Sequence, residues 1–164
     1  MKKLVVVMMM ALGLSVNAQK NDGQTALGNL VIEANTGAFS TGNTGFSLTS
    51  IDGNTVWSMG LDCGYFAAND LAIKTGFGYS DVGRDVISYK IGLEYYILSK
   101  IPVGIDYTGN SFDGGSTDFI GLQGGYAVFL SEHVSLKPTL RYNFGLEEGQ
   151  KGAFQGLIGF ALYF

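Results

Sequence analysis

Eight charged residues stand inside otherwise apolar, glycine-rich runs: Glu33, Asp62, Lys74, Lys90, Glu94, Asp106, Lys137 and Arg141. Each falls on the polar parity of a segment whose other parity is apolar, so all eight leave one face of strands that alternate with a period of two. The four acids and four bases balance. Two kinds of chemistry suit such a set: mutual neutralisation within a filled interior, or passage of an ion or proton along it. Neutralisation is the simpler, and removing one member of a desolvated pair then costs about 3–5 kcal/mol, less where water enters. A turn centred on Ala68 would set Asp62 opposite Lys74, and one centred on Glu132 would set Arg141 opposite Gln123.

Nucleophilic catalysis needs a nucleophile beside a base. The single histidine, His133, lies in a polar turn with Ser131 and Glu132, which is ordinary loop composition, so no catalytic residue is assigned. Asp81, Asp85, Asp113, Glu147 and Glu148 are scattered acids without the ligand spacing of a calcium loop, so neither a metal nor a cofactor is expected. Cys63 is the sole cysteine; it has no internal disulfide partner and is expected to be structural.

The elements that must carry the eight charges are strands. From Ala153 to Phe164 one parity reads Phe154, Gly156, Ile158, Phe160, Leu162, Phe164, and the other is smaller or more polar. The run is about the length a tilted strand needs to cross hydrocarbon. Seven earlier runs share the pattern: Leu27–Asn35, Thr55–Phe66, Asp70–Tyr79, Val86–Leu98, Ile101–Thr108, Thr117–Leu130 and Val134–Phe144. Pro138 sits on an apolar parity and implies a bulge or a break in the ladder. Turns at Ala67, Ser99 and Ser131 read as short, and the loops after strands one, three, five and seven as longer and rich in Gly, Asp and Ser. Strand end, polar turn and alternating strand recur at residues 65–74, 95–103 and 128–137, the repeated hairpin of an up-and-down barrel.

Met1–Ala18 has the form of a secretory signal peptide: Lys2 and Lys3, an apolar stretch from Leu4 to Val16, and a small-x-small site ending at Ala18, so that Gln19 becomes the first residue. The expected division is therefore 1–18 signal peptide and 19–164 barrel domain. Losing Lys2 and Lys3 leaves eight basic against 14 acidic residues, a charge near −6 that argues against a nucleic-acid partner. No later segment has the apolar run of a transmembrane helix, so any spanning falls to strands, and only a closed barrel spares lipid an unpaired backbone edge.

Size decides which face points out. Eight strands enclose an interior just wide enough for side chains. The glycine-rich polar face fits inside; the face bearing Trp57 and many Tyr, Phe, Ile and Leu does not, and it carries almost no charge. The expectation is an all-β, eight-stranded antiparallel up-and-down transmembrane β-barrel, inside-out with respect to a soluble lipocalin-like one. Tyr65, Tyr95, Tyr126 and Phe164 are candidates for one interfacial aromatic belt, and Trp57, Tyr79, Tyr89, Tyr107 and Tyr142 for the other.

Gly64-Tyr65-Phe66-Ala67-Ala68-Asn69-Asp70-Leu71-Ala72-Ile73 resembles the recurrent G-Y-F-x-x-x-x-L-A-(I/L) hairpin of the small outer-membrane β-barrel family, the OmpX/OmpA-transmembrane-domain type, as does the closing Gly159–Phe164. The likeness covers nearly the whole mature chain. It implies residence in the outer membrane of a Gram-negative cell, surrounded by its lipid, with Phe160, Leu162 and Phe164 as the strand read by the barrel-assembly machinery. The family brings no shared catalytic residues, and no appended peptidoglycan-binding domain is expected. The functional expectation is a non-enzymatic, monomeric barrel serving envelope structure or loop presentation. The alternatives are a narrow gated channel for small solutes or ions and a lipid-modifying enzyme.

Overall fold

The computed structural model describes residues 23–36, 45–51, 54–147 and 149–164. The proposed signal peptide and its Ala18/Gln19 junction lie outside them. Ten strand segments follow in order: β1 (Leu30–Asn35), β2 (Ser47–Ile51), β3 (Asn54–Ala68), β4 (Leu71–Asp81), β5 (Asp85–Ile97), β6 (Ile101–Phe112), β7 (Gly115–Gly125), β8 (Val128–Phe129), β9 (Val134–Gly145) and β10 (Ala153–Tyr163). All of their ladders are antiparallel, and β1 pairs with both β3 and β10, which closes the sheet into a barrel.

Ten segments make eight staves among the described residues. β1 and β2 both lie along the same side of β3, Glu33 opposite Asp62 and Ser47 opposite Ser58, so they are two parts of one stave. β7 and β8 lie along β9 in one register and form another. The interruption between them falls at Pro138, which has no N–H to give. The Tyr126 amide donates to the Pro138 carbonyl at 3.1 Å, while the Ala127 amide turns to the Lys100 carbonyl at 2.7 Å.

Alternation turns directly into burial. Along β5, Ile87, Tyr89, Ile91, Leu93 and Tyr95 are exposed, while Ser88, Lys90, Glu94 and Tyr96 are buried. The other long staves repeat this, so the outer surface is a band of Leu, Ile, Phe and Tyr and the inner surface is mostly polar. Such an exterior needs lipid around it.

Three sequence expectations are corrected here. First, the turn between β3 and β4 is not centred on Ala68: a bulge at Phe66–Ala68 and a left-handed Asp70 (φ 64°) shift the register, so Asp62 faces Gly76, and Lys74 faces Gly64. Second, two of the four loops read as long are tight. Residues 82–84 join β4 to β5, and Asp113–Gly114 join β6 to β7. The polar stretch Gly109–Phe112 pairs with Gly115–Asp118 instead of looping. Polar side chains do not prevent backbone pairing, and Gly83 (φ 83°) and Gly114 (φ 96°) supply the positive dihedrals that tight turns need. The first stave also starts later than expected, at Leu30. Residues before it fold against the β3–β4 turn through Thr25 Oγ1–Asp70 Oδ1 (2.5 Å) and Leu27 N–Asn69 Oδ1 (2.9 Å).

The β5–β6 turn places two non-glycine residues, Leu98 (φ 53°) and Ser99 (φ 57°), in the left-handed region, with the Lys100 amide donating to the Ile97 carbonyl. The connection is three residues long, Leu98 to Lys100, and the β-turn within it has positive dihedrals at both central positions, which Asn-Gly adopts most readily. The Leu98→Asn/Ser99→Gly double variant should therefore resist urea unfolding from vesicles by about 1–2 kcal/mol more than the parent. An unchanged or lower midpoint would refute the strained-turn assignment.

Candidate functional site: the charged lumen

Glu33 on β1, Lys74 on β4, Glu94 on β5 and Lys137 on β9 point inward, and the curvature of the barrel brings them together. Lys137 Nζ reaches Glu33 Oε2 and Glu94 Oε1, each at 2.8 Å; Lys74 Nζ reaches the same two atoms at 2.7 and 3.5 Å. Two ammonium groups and two carboxylates alternate in a closed ring, each ion touching two of opposite sign. Lys90 Nζ pairs separately with Asp62 Oδ2 at 2.8 Å.

Arg141 and Asp106 form the second centre. The guanidinium holds the carboxylate in a fork, Nη1–Oδ2 at 2.5 Å and Nη2–Oδ1 at 2.6 Å. Its remaining donors go to Asn143 Oδ1, Gln123 Oε1 and Thr108 Oγ1. This uses the planar five-donor geometry that lysine lacks. Room for it comes from Gly121: a Cβ there would sit 2.1 Å from Arg141 Nη2. Gln123, which does stand opposite Arg141 in the ladder, donates its Nε2 to Glu94 Oε2 at 2.7 Å and so joins the two centres.

The lumen thus contains all eight charged residues, in three ionic groups, with the first and second bridged by an amide. The Asp62–Lys74 pairing read from the turn does not form; Lys90 takes Asp62 and Glu33 takes Lys74. Among the described residues only Asn35 Oδ1 and Gln150 Nε2 are buried side-chain atoms without a partner. A polar interior is tolerable in a low-dielectric setting only when it is satisfied in this way.

An aromatic floor went unread in the sequence. Phe66, Tyr96 and Tyr163 lie on the inward parity at the rim shared by the three short turns, and they pack together with Val31, Ala72 and Ala127. Tyr96 OH accepts from Lys137 Nζ at 2.9 Å, and Tyr163 OH is 3.1 Å from Ser135 Oγ, so the phenol edges join the ionic ring to the floor. The signal was available in the period-two pattern, since Phe66 shares parity with Asp62, Tyr96 with Lys90 and Glu94, and Tyr163 lies on the smaller, more polar parity of its strand.

His133 and Ser131, the residues weighed for nucleophilic catalysis, bond to the backbone of the closing strand and of their own turn. The His133 ring Nδ1 donates to the Tyr163 carbonyl at 3.1 Å, and Ser131 Oγ accepts from the His133 backbone amide. The imidazole fastens the last strand to the turn. Phe160, Leu162 and Phe164 face outward on the closing stave, and Tyr65, Tyr95 and Tyr126 are likewise exposed on the outer face. In the opposite belt, Trp57 stacks near Tyr79 and Tyr89 near Tyr107, with ring centroids 5.4 and 6.2 Å apart. Cys63 is half-buried on the outer face.

Losing one ion of the fork should be worse than losing both. Arg141→Met leaves Asp106 buried and unpaired, an expected loss of about 3–5 kcal/mol in urea unfolding from vesicles. Adding Asp106→Leu to it should recover most of that loss. Additive losses in the double variant would mean that the two side chains do not act as a pair.

No protein-family model matches the sequence, and no curated protein does. Solved structures do. The N-terminal β-barrel domain of Pseudomonas aeruginosa OprF superposes with a TM-score of 0.61 at 16% identity, covering 84% of this chain and 98% of that one. A de novo designed transmembrane β-barrel (TM-score 0.45, 14% identity, 89% and 100% coverage) and the outer membrane protein OprG of Pseudomonas aeruginosa (0.45, 13%, 87% and 99%) are more distant and add nothing to it. The OprF likeness is one of fold: the chain is a closed, eight-stranded, antiparallel β-barrel of the outer-membrane type, with the apolar exterior that a place in that membrane requires.

Proposed function

We propose that the chain is a non-enzymatic outer-membrane barrel that contributes to envelope structure and holds its hairpin tips at the cell surface. One observation carries this: among the described residues the lumen is occupied by side chains that satisfy one another, above an aromatic floor, and a barrel of eight staves is too narrow for a porin-sized route. The outer hairpins are themselves braced. The Arg84 guanidinium lies 3.9 Å over the Phe112 ring, which joins the β4–β5 turn to the β6–β7 hairpin, and Tyr79 OH donates to Asp85 at 2.6 Å. Tips fixed in this way suit presentation to a partner. The outward Phe160, Leu162 and Phe164 fit the strand that assembly machinery would read, and the barrel acts as a monomer.

A narrow gated channel is the second reading, favoured by the continuity of the polar chain. It runs from Ser135 and Tyr163 through Tyr96, Lys137, Glu94, Gln123 and Arg141 to Asn143 and Gln155.

Cell fractionation with heat-modifiable gel mobility tests location and closure together, and planar-bilayer recording separates the two readings. The expected result is an outer-membrane protein that shifts on boiling and shows no sustained single-channel steps. Stable steps would overturn the structural reading in favour of the channel.

A further inference from the structure

Among the described residues, the outer face carries an open, almost wholly apolar recess of about 360 Å³ spanning β4 to β7. Its walls are Leu71, Leu93, Tyr95, Val103, Ile105 and Leu122, and its floor is the backbone at Gly104 and Gln123. Register explains it. Tyr95, Val103 and Gly124 stand side by side in one cross-strand row, and Leu93, Ile105 and Leu122 in the next. Tyr95 and Leu122 rise from the surface, Val103 is short, and Gly124 has no side chain at all; a Cβ there would have Val103 Cγ1, at 4.0 Å, as its nearest neighbour. The groove lies in the lipid-facing band, so its occupant is hydrocarbon.

The end of the groove adds charge. The β5–β6 turn closes the same two staves one row beyond Tyr95, with Ile97 opposite Ile101 and Lys100 in the turn. Among the described residues Lys100 is the sole Lys or Arg at the rim that holds both described termini; Lys74, Lys90, Lys137 and Arg141 are in the lumen, and Arg84 and Lys151 belong to the opposite rim. It is exposed, as is Leu98 beside it at 82%. Two residues of strand span about 7 Å, within reach of a lysine side chain that extends to the interface.

We propose that this groove and Lys100 form a binding site for one anionic phospholipid of the periplasm-facing leaflet. An acyl chain lies between Tyr95 and Leu122, the phosphate meets the Lys100 ammonium, and the Tyr95 phenol sits at the headgroup boundary. The site rests on the membrane-embedded reading above.

Native mass spectrometry of the full mature chain tests it, after extraction into mild detergent from vesicles of equal phosphatidylglycerol and phosphatidylcholine. The wild type should retain one phospholipid, phosphatidylglycerol by about fivefold, the worth of one lysine beside an anionic surface. Val103→Trp, which fills the groove from outside and leaves the lumen alone, should abolish retention. Lys100→Gln should keep the retained lipid but level the headgroup preference. Heat-modifiable mobility of each variant shows that it has closed as a barrel. A closed wild type that retains no lipid, equal retention in Val103→Trp, or a preference that survives Lys100→Gln would each overturn the site. A chain that never inserts into vesicles would instead overturn the membrane reading beneath it.

Discussion

Backbone hydrogen bonding in lipid is the constraint on which the rest of this structure depends. Hydrocarbon offers no partner to an unpaired N–H or C=O, so a sheet that crosses it must close on itself. Closure over eight staves makes the interior narrow. A narrow interior cannot take two layers of large apolar side chains, so those must point outward and the polar ones inward. The charges of the inner face are then removed from bulk water and have to satisfy each other. Antiparallel closure, greasy exterior and a neutral lumen therefore follow from one physical requirement.

Much of this was legible in the chain because a period of two has few interpretations. Parity set Glu33, Asp62, Lys74, Lys90, Glu94, Asp106, Lys137 and Arg141 on one face, and the structure gathers all eight in the lumen. Parity does not say which charge meets which. That depends on register, and register depends on turns. The Gln123–Arg141 alignment followed from a hairpin read correctly, whereas the bulge at Phe66–Ala68 displaced Asp62 from Lys74 by two residues on the partner strand. The Glu33–Lys137 contact joins residues 104 apart, across staves that are not hydrogen-bonded to each other. No local rule reaches such a contact, because it depends on the curvature of the closed sheet.

The loops were misjudged for a related reason. Gly109 to Ser116 looked like loop by composition, yet most of it is paired. In a half-buried sheet, side-chain polarity marks strand limits because one face must be apolar. Beyond the hydrocarbon both faces can be wet, so polarity no longer reports where pairing stops. Trp57, Tyr79, Tyr89 and Tyr107 mark the level at which the apolar pattern fades, while β6 and β7 run on past it to a two-residue turn.

The placement of the ionic ring adds a further step. Within the described residues β1 contributes six residues and joins β10 through five paired positions, fewer than any of the long hairpins. Glu33 is the one charged side chain on that segment, and its carboxylate is held by Lys74 from β4 and Lys137 from β9. The first of these bonds reaches past β3 and the second past β10, so the ring straddles the joint between the first and last staves from the inside. Backbone ladders hold each stave to its neighbours; the ring ties the first stave to two staves beyond them. A neutral lumen is thus more than a way of tolerating polar groups in a narrow space: it braces β1, whose described ladders to β3 and β10 hold only four and five paired positions.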